Sequence, residues 1–261
     1  EGSIMGEMVK TLTDLVKKTE PTNKNIFVVK YDANGNQAWS AQLNKHSELS
    51  LTGDEFATSS CVDKKGNLFI SAYHKIGDKK QSFIITYDST GKISNLKIEK
   101  DDKFDCIING LCLDENENLY AVGTIGNSSF INKYTNLLRL EKRQYVPVNL
   151  STNQEYYTSK VQLNEVCMDN SGGICVVGTK TENIRTDIYL AKLDLDLNEK
   201  WSKTLGKPDL YEKGLKIIND AERNIYIGGI TSGNTFTDKN GKPVNSYDNY
   251  YYDFLIVKYD E

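Results

Sequence analysis

Apolar and polar positions alternate along the chain in short bursts, and each burst ends in a cluster of Asp, Asn, Gly or Ser. Alternation with a period of two marks a strand with one buried face, and the clusters supply the turns that join such strands. The segments FVVKYD at 27–32 and FIITYD at 83–88 show the pattern. Helical stretches do not alternate with the strands, which argues against a doubly wound parallel sheet. Within 8–18, Val9, Leu12 and Val16 stand at helical spacing and predict one short helix, too weak to serve as a membrane or partner helix.

The strands recur as a unit. Four segments share the order strand, Asp, three turn residues, Asn or Gly, strand. They start at Asp63 (KKG, then Asn67), Asp114 (ENE, then Asn118), Asp169 (NSG, then Gly173) and Asp220 (AER, then Asn224), spaced 51, 55 and 51 residues apart. Between them recurs an apolar strand ending in Lys-Tyr-Asp or a relative: FVVKYD at 27–32, FIITYD at 83–88, FINKYT at 130–135, YLAKLD at 189–194 and LIVKYD at 255–260. In the best copies a turn and a fourth strand follow, with Trp39 and Trp201 each nine residues after the motif lysine.

Four strands in about 40 to 50 residues is the spacing of a β-propeller blade. A lone blade leaves both sheet faces bare, and stacking blades around an axis buries them against each other. The expected fold is all-β: a single domain over 1–261, a β-propeller of four-stranded antiparallel blades, with four to five blades represented. With strands labelled A to D from axis to rim, the blades fall near 1–43, 55–99, 106–142, 161–205 and 214–259. Strand D of the third blade is expected near 137–142, and strand B of the first near 3–8. The first blade lacks A and the last lacks D, so the chain is expected to begin and end mid-blade. A fragment of a longer propeller is the preferred reading, and a five-bladed ring with two incomplete blades the alternative.

These residues resemble the SBBP-type propeller repeat of bacterial and archaeal proteins, whose pattern runs Phe-x-x-Lys-Tyr-Asp, Gly-Asn, Trp, a Gly-Asp-Asp stretch, then Asp-x-x-Gly-Asn-x-Tyr. The N-terminal copy is nearest, with FVVKYDANGNQAW, Gly53-Asp54-Glu55 and the Asp63 turn. The third copy departs most, with Thr135 in place of Asp and no Trp. The resemblance covers nearly the whole chain. It implies a bacterial or archaeal surface or secreted protein, often large, and says little about activity, because propellers host unrelated functions.

Composition narrows the function classes. The net charge of -4 argues against a nucleic-acid partner, which usually demands a basic stripe. No apolar run approaches the roughly 18 to 20 residues that span a bilayer, so membrane insertion is not expected. The sequence opens on Glu1 rather than Met, and the lack of a leader therefore carries no information on location; a cytoplasmic site is open beside an extracellular one.

Candidate chemistry is sparse. Cys61, Cys112 and Cys167 each stand two residues before a repeat Asp, where the fourth copy has Ile218. A slot filled by Cys, Cys, Cys and Ile reads as a buried apolar position rather than a metal cluster. Cys175 also reads as core, and Cys106 has no equivalent. His46 and His74 are the only histidines and are expected at the surface, so zinc sites and Ser-His-Asp chemistry lack their usual groups. No phosphate-cradling glycine loop occurs, and no cofactor is expected. Asp32, Asn34 and Asn36, like Asp194, Asp196 and Asn198, place oxygen side chains at alternate positions as calcium loops do. They lack the later bidentate Glu, and turn chemistry accounts for them, which leaves them weak calcium candidates. Lys30, Lys133, Lys192 and Lys258 recur at one motif position, which Thr86 fills in the second blade, and are expected to lay their stems on a neighbouring sheet.

Loop lengths point to where function could sit. The A–B and C–D turns are short, whereas the D–A and B–C connections vary and include 44–54, 143–160, 9–25 and 231–252. Insertions gathered on one face of a repeat protein usually mark its binding side. Two of these loops are rich in tyrosine, with Tyr145, Tyr156 and Tyr157 in or beside one and Tyr247, Tyr250, Tyr251 and Tyr252 at the end of the other. Tyrosine suits stacking on sugars and anchoring protein partners, though Tyr250, Tyr251 and Tyr252 also fit the start of a packed strand. The leading expectation is a non-catalytic scaffold or binding module for a protein or glycan. The alternatives are a polysaccharide hydrolase or lyase at the channel, using groups such as Asp54, Glu55, Glu165 and Tyr211, and an intracellular interaction scaffold.

Overall fold

The computed structural model describes residues 24–43, 54–146, 160–183, 185–207, 210–232 and 252–259. Among these residues the protein is all-β: four antiparallel sheets stand in a ring as the blades of a four-bladed β-propeller, and a fifth, partial sheet lies at the end. In chain order the first sheet pairs β1 (Phe27–Tyr31) with β2 (Gln37–Gln42). The second holds β3 (Glu55–Val62), β4 (Leu68–Ile76), β5 (Lys79–Tyr87) and β6 (Ile93–Glu99). The third holds β7 (Cys106–Leu113), β8 (Leu119–Ile125), β9 (Ser128–Tyr134) and β10 (Leu140–Val146). The fourth holds β11 (Lys160–Asp169), β12 (Gly173–Glu182), β13 (Arg185–Asp194) and β14 (Glu199–Leu205), and the fifth β15 (Glu212–Asn219), β16 (Ile225–Ser232) and β17 (Tyr252–Tyr259).

The core lies between sheets, and the period of two explains why. In the Phe-x-x-Lys-Tyr strand, odd positions face the preceding sheet and even positions the following one. Phe83, Ile85 and Tyr87 pack on Ile26, Val28, Trp39 and Leu43 of the first sheet. Phe69, Ile84 and Cys61 pack forward on Phe130, Leu119 and Ile108 of the third. Tyr120, Val122 and Ile131 meet Tyr189, Ile174 and Leu163 of the fourth, and Cys175, Val177 and Leu190 meet Ile225, Ile227 and Val257 of the fifth.

Each innermost strand carries one bulge at the same place. The extra residues are Thr58, Asn109, Asn164 and Leu215. Asn109 donates to the carbonyl of Leu163 at 2.7 Å and Asn164 to that of Gly214 at 2.7 Å, so the bulge of one sheet ties to the bulge of the next. A bulge frees a side chain from the ladder and re-aims it, here toward the neighbouring sheet.

Several expectations are corrected. Strand D of the third blade runs over Leu140–Val146, not near 137–142, because Leu138 turns with φ 58 and is itself buried in the core. His74 is not at the surface: it is 2% exposed, its Nε2 lies 2.8 Å from Gln81 Oε1, and burial pushes its pKa down. The B–C connections of the second, third and fourth sheets are tight, with the pairs Ile76–Lys79, Ile125–Ser128 and Glu182–Arg185 flanking them. The expected strand at 3–8, the helix at 8–18 and His46 lie outside the described residues.

Candidate functional site

The short turns share one construction. In the A–B turn at Asp63, the Asp63 carbonyl accepts from Gly66 N, and Oδ1 accepts from the backbone of Lys65 and Asn67. Asn67 Nδ2 closes the loop onto Oδ2 at 2.7 Å. The turns at Asp114 and Asp220 repeat every one of these bonds. The last of the three turn residues lies at positive φ throughout: Gly66, Glu117, Gly172 and Arg223. Tyr120 and Tyr226 add a hydroxyl to the same Asp at 3.2 and 3.0 Å, which gives the Asp-x-x-x-Asn-x-Tyr motif its logic.

Three of these turns surround a pocket of about 470 Å³. Of its apolar members, Val62, Leu113 and Met168 are the residues that immediately precede the three motif aspartates, and Leu195 joins them from the C–D turn of the fourth sheet. The rim is polar: Lys64, Glu115, Asn116, Glu117 and Asn170. Rim residues also lock one turn to the next, since Lys64 Nζ donates to the Glu115 carbonyl at 2.9 Å and Asn170 Nδ2 donates to the Asp220 carbonyl. The pocket is therefore framed by backbone held in place on both sides, a pre-organised cradle. Its charge is negative, with Asp63, Asp114, Asp169, Glu115 and Glu117 against Lys64. Burial pushes Asp169 up, but hydrogen bonds from Ser171 and Lys192 outweigh it and hold the carboxyl below its usual range. Behind the floor, the Cys61 thiol is pushed up to about 12 by burial and by the Asp63 charge, and Cys112 rises for the same leading reason. Such thiols are apolar packing, not nucleophiles. All five cysteines are free.

The calcium candidates have the turn construction as well. Asp32 Oδ1 accepts from the backbone of Asn34 and Asn36, and Oδ2 from Asn36 Nδ2; Asp194 does the same with Asp196 and Asn198. The hydrogen bonds to Asn198 hold Asp194 down to about 2. Of the candidate channel acids, Asp54 accepts from Lys24 N, Glu55 from Ile26 N, and Glu165 pairs with Lys216. Burial raises the Glu55 carboxyl. Tyr211 is 42% exposed at the start of the fifth sheet. Of the candidate tyrosines, Tyr145 lies on β10 rather than in a loop and lines a small cleft with Ile131, Val176 and Tyr189. Tyr156, Tyr157, Tyr247, Tyr250 and Tyr251 lie outside the described residues, as does the side chain of Tyr252. Each motif lysine of the described residues reaches a turn or a ring: Lys30 the Ser89 carbonyl, Lys133 the Tyr120 ring, Lys192 Asp169 and Lys258 the Tyr226 ring.

The pocket was not anticipated from the sequence. Its signal was nonetheless present, as an apolar residue before three of the four repeat aspartates, with Asn219 in the fourth.

Comparison with known proteins adds little beyond this. No family model matches the chain, and no curated protein matches it. Among solved structures, a protein of unknown function from Bacteroides caccae is similar at 10% identity and a TM-score of 0.49, over 81% of this chain and 71% of that one. A luciferin-regenerating enzyme is similar at 10% identity and a TM-score of 0.46, over 78% of this chain and 63% of that one.

Proposed function

We propose that this chain is a non-catalytic binding module, and that it takes a protein partner at the pocket framed by the short turns. The observation that carries the reading is the pocket itself: an apolar floor inside an acidic, backbone-locked rim. That chemistry suits a cationic side chain flanked by apolar ones, because the rim charge steers it and the floor takes its stem. The engagement of Asp54, Glu55 and Glu165 with donors favours binding over hydrolysis at the channel. In keeping with the SBBP-type resemblance, the module belongs to a larger bacterial protein of the surface or of the secreted set.

A peptide and glycan array tests this on the purified protein beside Glu117→Lys and Met168→Ala. Basic peptides are expected to bind and to lose about tenfold or more with Glu117→Lys, in line with the 1.4 kcal/mol that each decade represents. Glycan binding insensitive to both variants would overturn the assignment of the ligand and the site. Polysaccharide cleavage abolished by Glu165→Gln would overturn the non-catalytic reading.

A further inference from the structure

At two junctions between sheets a pair of long side chains crosses to the C–D turn of the following sheet. Lys30 and its ladder partner Trp39 both donate to the Ser89 carbonyl, at 3.5 and 3.0 Å. Lys133 lies 3.9 Å from Asp196, and its ladder partner Lys142 donates to the Asp196 carbonyl. The corresponding pair in the second sheet is Thr86 and Asn95. Both long side chains are thus replaced by short ones where the second sheet meets the third.

The junction keeps the space. A cavity of about 260 Å³ lies there, lined by Asp63, Phe69, Thr86 and Asn95 of the second sheet and by Asn136 and Leu137 from the C–D turn of the third. It is smaller than the roughly 300–1,000 Å³ of drug-sized ligand sites and suits a small group. Every residue of the lining belongs to the described strands and turns. Its groups are those that hold a lysine elsewhere. Phe69 pairs with Thr86 across the ladder as Tyr120 does with Lys133 and Tyr226 with Lys258, and in those two copies the ammonium stands 5.9 Å from the ring centroid. Asp63 Oδ2 accepts from Asn67 Nδ2, as its counterparts Asp114 and Asp220 accept from their Asn. Those two also receive a tyrosine hydroxyl, and Asp169 pairs with Lys192 at 3.1 Å. Phe69 has no hydroxyl to give Asp63. Thr86 is 5% exposed, and its Oγ1 has no hydrogen-bond partner among the described residues. Lys65 also lines the cavity, but its ammonium lies 3.9 Å from Glu117 and its side chain is largely exposed.

An aromatic face and a carboxylate both attract a cation, and a buried hydroxyl without a partner calls for a donor. We propose that this cavity binds an alkylammonium group, a primary amine on a short methylene stem. The stem runs where the motif lysine runs in the other copies, and the Phe69 ring and the Asp63 carboxylate share the charge. The site is separate from the 470 Å³ pocket among the A–B turns, with which it shares only Asp63.

Titrations followed by amide NMR spectra test it, with butylammonium, butanol, diaminopentane and Nα-acetyl-lysine methylamide as probes. Butylammonium is expected to shift the amides of Asn67, Phe69 and Thr86 and to bind about tenfold or more tightly than butanol. Thr86→Lys puts the motif lysine back and is expected to abolish binding with unchanged circular dichroism. Phe69→Leu keeps an apolar floor without the ring and is expected to weaken it. Met168→Ala, in the other pocket, is expected to bind as the wild type does. If Thr86→Lys fails to fold, Asn95→Trp, which restores the other long side chain, replaces it. Binding of the lysine derivative supports the proposal with a partner's lysine as the ligand, and binding of the diamine without the lysine derivative supports it with a free amine. No binding of any amine at millimolar concentration would overturn the proposal, as would butanol binding as tightly as butylammonium. Amine binding that survives both Thr86→Lys and Phe69→Leu, or that is lost with Met168→Ala, would overturn the assignment to this cavity.

Discussion

Phe27 and Phe83 occupy the same place in the same motif, yet one is 74% exposed and the other 0%. The strands and turns around them match, with Thr86 standing where the first copy has Lys30. What differs is whether a sheet stands behind. Burial in this fold is therefore a property of neighbours along the blade series, and the hydrophobic contribution of a motif residue depends on its place in the series rather than on its identity. The interior sheets bury their motif residues on both faces, and the first sheet leaves its Phe27 and Tyr31 exposed.

The sharpest way to break this comparison is truncation at equivalent positions. Phe83→Ala removes a side chain packed on all sides and is expected to cost about 3–5 kcal/mol, whereas Phe27→Ala is expected to stay within about 0.5 kcal/mol. Chemical denaturation of the two variants reads the difference. Equal effects would mean that Phe27 is covered in solution.

A second pair concerns the turns. Gly91 lies at φ 87, and a Cβ added there would sit 2.7 Å from Trp39, whose ring stacks near Tyr87 and whose Nε1 donates to the Ser89 carbonyl. Trp39 thus explains why Trp follows the motif lysine: it closes one sheet onto the C–D turn of the next. Gly35 lies at φ 82 with nothing within 4 Å of an added Cβ. Gly91→Ala is expected to cost about 2–3 kcal/mol, from backbone strain plus the displaced indole, and Gly35→Ala about 1 kcal/mol, from strain alone. Denaturation midpoints again separate them.

The bulges give a third contrast. Asn109→Ala leaves the Leu163 carbonyl without its inter-sheet donor and is expected to cost about 1 kcal/mol. Leu215→Asn, at the equivalent bulge of the fifth sheet, is expected to change stability little in the isolated chain.

The smallest expected effect is on acid stability. Asp194 has an ordinary value of 3.8 and a folded value of about 2. The folded value is the lower one, so its stabilisation is present above 3.8 and is lost as pH falls toward about 2. Asp194→Asn is expected to flatten the fall of the thermal midpoint over that window, while leaving the slope above about pH 5 unchanged.

The sequence made the architecture legible because a repeat displays its period directly. Four aspartate turns and five Phe-x-x-Lys-Tyr-type strands place nearly every described strand within a few residues. The miss at β10 has a plain cause: Leu137 and Leu138 look like the start of an apolar strand, but Leu138 fills the core from within a turn. His74 looked like a strand-end surface residue because a single strand does not reveal that Gln81 pairs with it from the next. The pocket among the short turns escaped notice for a similar reason, since Val62, Leu113 and Met168 are about 50 residues apart and each alone is an ordinary strand end.

What the sequence determined by itself is the local set: strands of period two, turns closed by Asp and Asn, and cysteines in one apolar slot. These depend on bonds within a few residues. The tertiary structure alone decided which copies of one motif are buried and which turns converge on a common pocket. Those depend on the rotation from one sheet to the next, which brings residues of different repeats together and has no signature within any one repeat.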